Sequence, residues 1–459
     1  MDPSRWGYFT EIKDFEHLEE EKRMMVEFYE TSMTKIQHVP YYMRNLKKYE
    51  KYYFPNLISI GPAHAEDSRL LRGMEYKLMW MLMYAKESQK TPNFLFQKIL
   101  EKIEELRRLF TPEVMGHLVD SYLDPQLAYM LLVDGCAVLQ IMEKANLSKL
   151  EDLIVKVDIQ VIARDLFLLE NQLPYELLKL LSEDESKLKK SMYQFCKLQR
   201  TFTISESPHA PLFREPEHQL ETLLMSSQPT HLLDCLRTYV FGIGMDSINK
   251  DECRVNVRQL EADIANSYAN KKEKYISYRN IQELKAAGIQ VKRQENISPK
   301  NISFSSSLFG GKLYIPPLIF DDSTVTILLN LLAYEMCSDF KNTFEICSFV
   351  KLLDLLIDSA EDVKELRSSR VLHNSLGSDE ELVEFFNTIS PGLLQNPNLY
   401  SGVKEVMEIY YKKKLSMWIA EAYYTYFKSP WTIIAFLAAL IVLVLTALQT
   451  WQAFVSNSK

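Results

Sequence analysis

The sequence predicts a mainly α-helical, multi-helix globular body with a small β-hairpin or sheet element and one C-terminal transmembrane helix. Three observations predict it. Apolar residues recur at three- and four-residue intervals through most of the chain, the spacing of one helix face. Strand-like alternation is confined to residues 288–320. Residues 430–455, "PWTIIAFLAALIVLVLTALQTWQAFV", contain no charged side chain.

In chain order, residues 1–34 read as an acidic helical arm, 35–428 as a mainly helical body, 429–455 as the spanning helix and 456–459 as a short tail. The helical period runs through "SRLLRGMEYKLMWMLMYAKES", "NFLFQKILEKIEELRRLF", "DPQLAYMLLVDGCAVLQIMEK" and "LYSGVKEVMEIYYKKKLSMWIAEAYYTYF". Thr91-Pro92, Thr111-Pro112 and Asp124-Pro125 each pair a capping side chain with a first-turn proline. Ser378 and Glu381 form a capping box ahead of "LVEFF". The strands come from "GIQVKRQ", "NISFSSSLF" and "KLYIPPLIF", with Gly310-Gly311 set for a tight hairpin. The segment "TFTISESPHAPLFREPEHQLETLLMSSQPT" carries four prolines and little periodicity, so it reads as a surface excursion.

The C-terminal segment reads as an anchor because an all-round apolar helix at a terminus has no later chain to cover it. Ser429-Pro430 supplies its cap and first-turn proline. Trp431 and Trp451 are twenty positions apart, which at the helical rise separates them by roughly 30 Å, a hydrocarbon thickness. Lys412, Lys413, Lys414 and Lys428 lie before the segment and only Lys459 beyond it, so the body is expected on the cytosolic side of a plasma or internal membrane. The bilayer is then one expected partner.

Other partner classes fall away on composition. Lys plus Arg number 53 against 61 Asp plus Glu, net charge −8, so the phosphate-neutralising surplus of a nucleic-acid binder is missing. A hydrophobic content of 47% with 12% aromatics is that of a folded chain. Cys136, Cys196, Cys235, Cys253, Cys337 and Cys347 show no C-x-x-C pair, and read as free thiols of a reducing compartment.

The search for chemistry finds no phosphate-binding loop, zinc-protease motif or nucleophile elbow, and Gly242 and Gly244 lack the setting of a dinucleotide site. No cofactor, metal site or catalytic set is therefore assigned. His64, in "IGPAHAED", stands beside a Gly-Pro turn and nearby acids; a lone loop histidine is more often structural than catalytic. Asp321 and Asp322 could ligate a metal with Glu335. They also precede an apolar helix whose exposed N–H groups a carboxylate would cap, and capping is the preferred reading.

The polar cluster Glu170, Asn171 and Gln172 sits in "DLFLLENQLPYELLKLL", between two leucine-rich runs and just before Leu173-Pro174. Pro174 disfavours helical geometry at the residue before it and suits the start of the next helix. The cluster thus reads as a bend between two helices, its side chains satisfying freed backbone groups, with a binding or reaction site as the alternative.

These residues also carry a resemblance. "LENQLP" resembles the hallmark of the plant proteins grouped as domain of unknown function 247. Residues 36–81 resemble that family's N-terminal block, with Val39-Pro40, Arg44, Tyr53, Pro55, Ile60-Gly61-Pro62, His64, Met74-Glu75 and Lys77 in order. "DGC" at 134–136, "IPPLIFDDSTVTILLNLLAYE", "HNSLGSDEELVEFFN" and "FKSPW" match as well. Tyr42-Met43 and Ala63 depart from the usual pattern. The resemblance implies a membrane-anchored plant protein, of a family whose biochemical activity is not established and some of whose members are associated with grass self-incompatibility loci. The expectation is an interaction or recognition protein with an unidentified protein partner. The alternative is a membrane-tethered hydrolase-like enzyme in which His64, Glu170 and Asp321 or Asp322 converge.

Overall fold

The computed structural model describes residues 34–120, 123–144, 156–182, 184–198, 225–226, 228–241, 280–294, 299–307, 310–340, 343–412, 438–439 and 441–451. The predicted arm over 1–34 (bar Thr34), most of the proline-bearing excursion, Trp431, Gly242, Gly244, Cys253, Lys413, Lys414 and Lys428 lie outside the described residues.

Leu71–Glu87 (α1) and Asp124–Glu143 (α3) form the heart of the N-terminal half. Two ion pairs set their direction. Lys77 meets Asp134 at 2.6 Å and Glu87 meets Lys144 at 2.8 Å, so the two helices run parallel with matched ends. Pro92–Glu101 (α2), Tyr175–Leu181 (α5) and Glu185–Leu198 (α6) pack around α3, and Leu232–Phe241 (α7) packs on α6. Lys156–Asp165 (α4) ends at the bend that leads into α5. The predicted helix over 93–110 is broken: Lys102 at φ −112°, ψ 9° separates α2 from a short helix at Ile103–Arg107. Asp124 is not a cap either. It is the first residue of α3, pairs with Arg107, and leaves the cap position to Leu123.

The strands form two small sheets. Ile289–Arg293 (β1) pairs in parallel with Gly310–Ile315 (β3), which pairs antiparallel with Ser303–Ser307 (β2). The predicted hairpin is β2–β3, but Gly310 and Gly311 belong to the strand and not to its turn. A Cβ on Gly311 would stand 2.8 Å from the Phe304 ring and 3.0 Å from Ile289, so glycine here admits a buried ring across the sheet. Pro316-Pro317 then ends β3, because proline offers no ladder N–H. The chain resumes as Leu318–Phe320 (β4), parallel to Leu372–Asn374 (β5) in a second sheet.

The C-terminal half is again helical: Asp322–Glu335 (α8), Glu345–Leu356 (α9), Ala360–Ser368 (α10), Asp379–Ile389 (α11) and a helix over 401–412. Ser378 caps α11 by accepting the Glu381 N–H at 3.2 Å. The returning Glu381 carboxylate takes the Gly377 N–H, one residue earlier than a standard box. One hydrophobic core runs through both halves, from Ile36 to Met407. The five described cysteines, Cys136, Cys196, Cys235, Cys337 and Cys347, are buried free thiols within it.

Among the described residues one helix, α3, is long and apolar enough to cross a membrane, and most of it is buried in the core. The described part of the predicted spanning helix includes the shorter apolar helix Ile441–Trp451, whose large side chains are exposed, Leu443 at 70% and Trp451 at 72%.

Candidate functional site

The bend predicted at "LENQLP" lies between α4 and α5, and Pro174 stands at the cap position just before Tyr175. Gln172 closes the bend on itself: its amide donates to the Leu166 and Leu168 carbonyls, each at 2.8 Å, while its oxygen accepts the Leu233 N–H at 3.0 Å. The other polar side chains reach further. They bind residues 35–64, a strap that contributes Ile36, Val39, Met43, Tyr53, Ile58 and Ile60 to the core.

The strap has little regular structure, so its buried N–H groups need partners from elsewhere. From Val39 to Gly61 four side chains supply them. Asp165 accepts the N–H groups of Asn56, Leu57 and Ile58 at 2.7–3.1 Å. The Asn171 oxygen accepts the Ile60 N–H at 2.6 Å, and its amide donates to the Ile58 and Asp165 carbonyls at 3.1 and 2.9 Å. Asp134 takes the Gly61 N–H at 2.9 Å, and Lys77 bridges Asp134 to the Ser59 carbonyl. Glu170 takes the Val39 N–H at 2.8 Å. Gly61 completes the fit: it sits at φ +73°, and a Cβ there would stand 2.9 Å from the Gln172 carbonyl oxygen.

Glu170 is also the electrostatic centre. Arg44 approaches one carboxylate oxygen at 3.0 Å, His64 the same oxygen at 3.2 Å, and His38 the other at 3.2 Å. Burial alone would push this carboxyl up, but His38, His64 and the Val39 N–H overcome burial and hold it down at about 2. Asp165, whose partners are mainly backbone amides, shows the opposite balance, and burial pushes its carboxyl above the ordinary value. The Phe54 ring lies 5.5 Å from the His64 ring and 4.9 Å from the Arg44 guanidinium, closing the apolar side of the cluster.

The structure therefore brings together His64, Glu170, Asn171, Gln172 and Pro174. It does not bring Asp321 or Asp322 to them. Asp321 caps α8 in a capping box with Thr324, and Asp322 accepts the Tyr52 hydroxyl at 2.9 Å. Nor do the two aspartates share a site with Glu335, which binds Arg237 and the N–H groups of Glu345, Ile346 and Cys347 at the start of α9. Among the described residues no group of three His, Cys, Asp or Glu side chains could hold a metal ion.

Several members of the network were not singled out as site residues from the sequence: His38, Asp134, Asp165 and Asn330, whose oxygen accepts the Leu169 N–H at 2.8 Å. A signal for two of them was present. Asp134 and Asn330 are lone polar residues within apolar helical runs, and such residues are buried only with partners.

The family DUF247, described as a plant protein of unknown function, matches residues 36–445, which includes both strap and bend. UPF0481 protein At3g47200 of Arabidopsis thaliana is 27% identical over 429 residues, covering 88% of this chain and 83% of that protein. Putative UPF0481 protein At3g02645 of the same plant is 22% identical over 471 residues, covering 88% of each. No solved structure matches. With the family match extending over most of its length, the chain belongs to the plant DUF247 family.

Proposed function

We propose that this protein is a membrane-anchored interaction protein whose helical body presents a surface to a protein partner, held at the bilayer by its C-terminal segment. The observation that carries the anchor is the contrast between two apolar helices among the described residues. In α3 the side chains are covered by neighbouring helices; on Ile441–Trp451 they are exposed, with Ile441, Val442, Leu443, Val444, Leu445 and Leu448 all above half of full exposure. Such a surface is costly in water and suited to lipid.

The recognition reading is supported by what the polar cluster does. Val39 and Arg44 each donate a hydrogen bond to one oxygen of Glu170, and the imidazoles of His38 and His64 stand 3.2 Å from those same oxygens, so both oxygens are engaged. A carboxylate so occupied is a poor general base, and Asp321 and Asp322 are engaged elsewhere. The arrangement favours a scaffold over a hydrolytic site.

The test is fractionation. Full-length protein is expected to stay in carbonate-washed membranes, and a chain lacking residues 431–459 to move to the soluble fraction. Retention of the shortened chain in washed membranes would refute the anchor.

A further inference from the structure

One guanidinium and two imidazoles of the strap converge on one buried carboxylate of the bend. His38 and Arg44 come from the start of the strap and His64 from its end, so a single residue, Glu170, holds both ends. Its side chain is fully buried, whereas those of His38 and Arg44 are 32% and 28% exposed. Protons can therefore reach His38 from solvent.

We propose that His38, packed with Arg44 and His64 around Glu170, makes this cluster a proton-dependent clasp, which fastens the strap while the His38 imidazole is charged and slackens it as pH rises. The groups that face it come from several elements. The backbone of Glu113 stands against His38 and favours its charged form, while Arg44 opposes it. Asp67, itself paired with Arg69, lies within electrostatic reach of His64, and the Cys337 thiol feels Glu170. At the strap's first residues Asp339 accepts the Lys35 N–H at 2.8 Å and the Gln37 amide, a contact without a histidine.

The direction follows from linkage. The Glu170 carboxylate beside it is the largest influence on His38 and outweighs burial, raising the imidazole above its usual 6.5. A raised group binds its proton more tightly in the folded chain than in the unfolded one. The stability it lends is complete below the unfolded value and is lost as pH rises through the folded value. Glu170, held at about 2, stays ionised throughout this range.

Slackening has a visible consequence on the strap itself, because Tyr41 and Tyr42, adjacent to Val39-Pro40, are 78% and 47% exposed. The clasp would thus couple the proton concentration to the placing of an exposed aromatic pair.

Amide hydrogen exchange of the full-length protein in lipid nanodiscs tests this, after correction for intrinsic exchange. Between about pH 6 and about pH 8.5, protection of the Val39 amide is expected to fall about two- to fivefold, the range of a partly exposed ion pair. The Leu169 amide, bonded to the uncharged Asn330 side chain, should not change. His38→Gln should flatten the Val39 response. Val39 protection that is constant with pH in the natural chain, or a response that survives His38→Gln, would overturn the clasp. If His38→Gln does not fold, Arg44→Gln serves instead: removing the opposing cation should move the midpoint to higher pH, and an unmoved midpoint counts against the proposal.

Discussion

The Asn171 side chain accepts the Ile60 N–H at 2.6 Å across 111 residues of sequence, and donates in turn to the carbonyls of Ile58 and Asp165. One carboxamide thus satisfies three buried backbone groups, which a leucine of similar size cannot do. Asn171→Leu is expected to lower stability by about 1 to 3 kcal/mol. Thermal unfolding of the purified full-length protein checks it; an unchanged midpoint would show that these groups find other partners.

Gly61 meets two constraints at once, a left-handed φ of +73° and the Gln172 carbonyl 2.9 Å from where a Cβ would lie. Gly61→Ala should therefore destabilise by more than about 1 kcal/mol, where the same change at an unstrained site is neutral or stabilising, and should loosen the turn before His64. The comparison is urea unfolding of Gly61→Ala beside Gly402→Ala, where a Cβ meets nothing within 4 Å. Equal losses in the two variants would contradict the close-approach argument.

Glu335 is fully buried, paired with Arg237 and capping three N–H groups of α9. Truncation leaves the buried guanidinium with Glu345 at 3.3 Å as its remaining ion-pair partner within contact and uncaps the helix. Glu335→Ala is expected to destabilise by about 3 to 5 kcal/mol, and Glu335→Gln, which keeps an acceptor for the amides, by less. If both variants unfold at the natural midpoint, the cap carries no stability.

Topology can be read from glycans. Asn146, Asn296 and Asn301 lie in Asn-x-Ser sequons, and Asn301 sits partly exposed just before β2; the other two lie outside the described residues. The lysine bias ahead of the apolar segment is the ground for expecting the body on the cytosolic side, where all three asparagines would stay unmodified. Endoglycosidase treatment should give no mass shift. A shift abolished by changing Asn146 and Asn301 to Gln would place the body on the other side.

Much of the local architecture was legible in the residues themselves. The helical period located α1 and α3, Thr91-Pro92 marked the start of α2, Asp321 announced the cap of α8, and Pro174 set the bend before α5. Each of these depends on neighbours within a few positions, where backbone geometry and side-chain reach impose a spacing on the sequence. The ordered motifs from Val39 to "LENQLP" indicated the family for the same reason.

Other features had no such local signal. Nothing near residue 102 foretold that Lys102 would break the helical run, or that Gly311 would lie within a strand to admit the Phe304 ring. The parallel pairings of β1 with β3 and β4 with β5 depend on segments that the chain brings together only after long excursions. The meaning of Glu170 was hidden in the same way. In sequence it is one acid beside two amides; its role comes from Val39, 131 residues earlier, and from His38, Arg44 and His64 closing on it in space. Hydrogen bonds across such separations leave no period to read, because either partner alone satisfies only local rules. Folding decides which buried donor each buried acceptor receives, and here it assigned the polar residues of the bend chiefly to the strap.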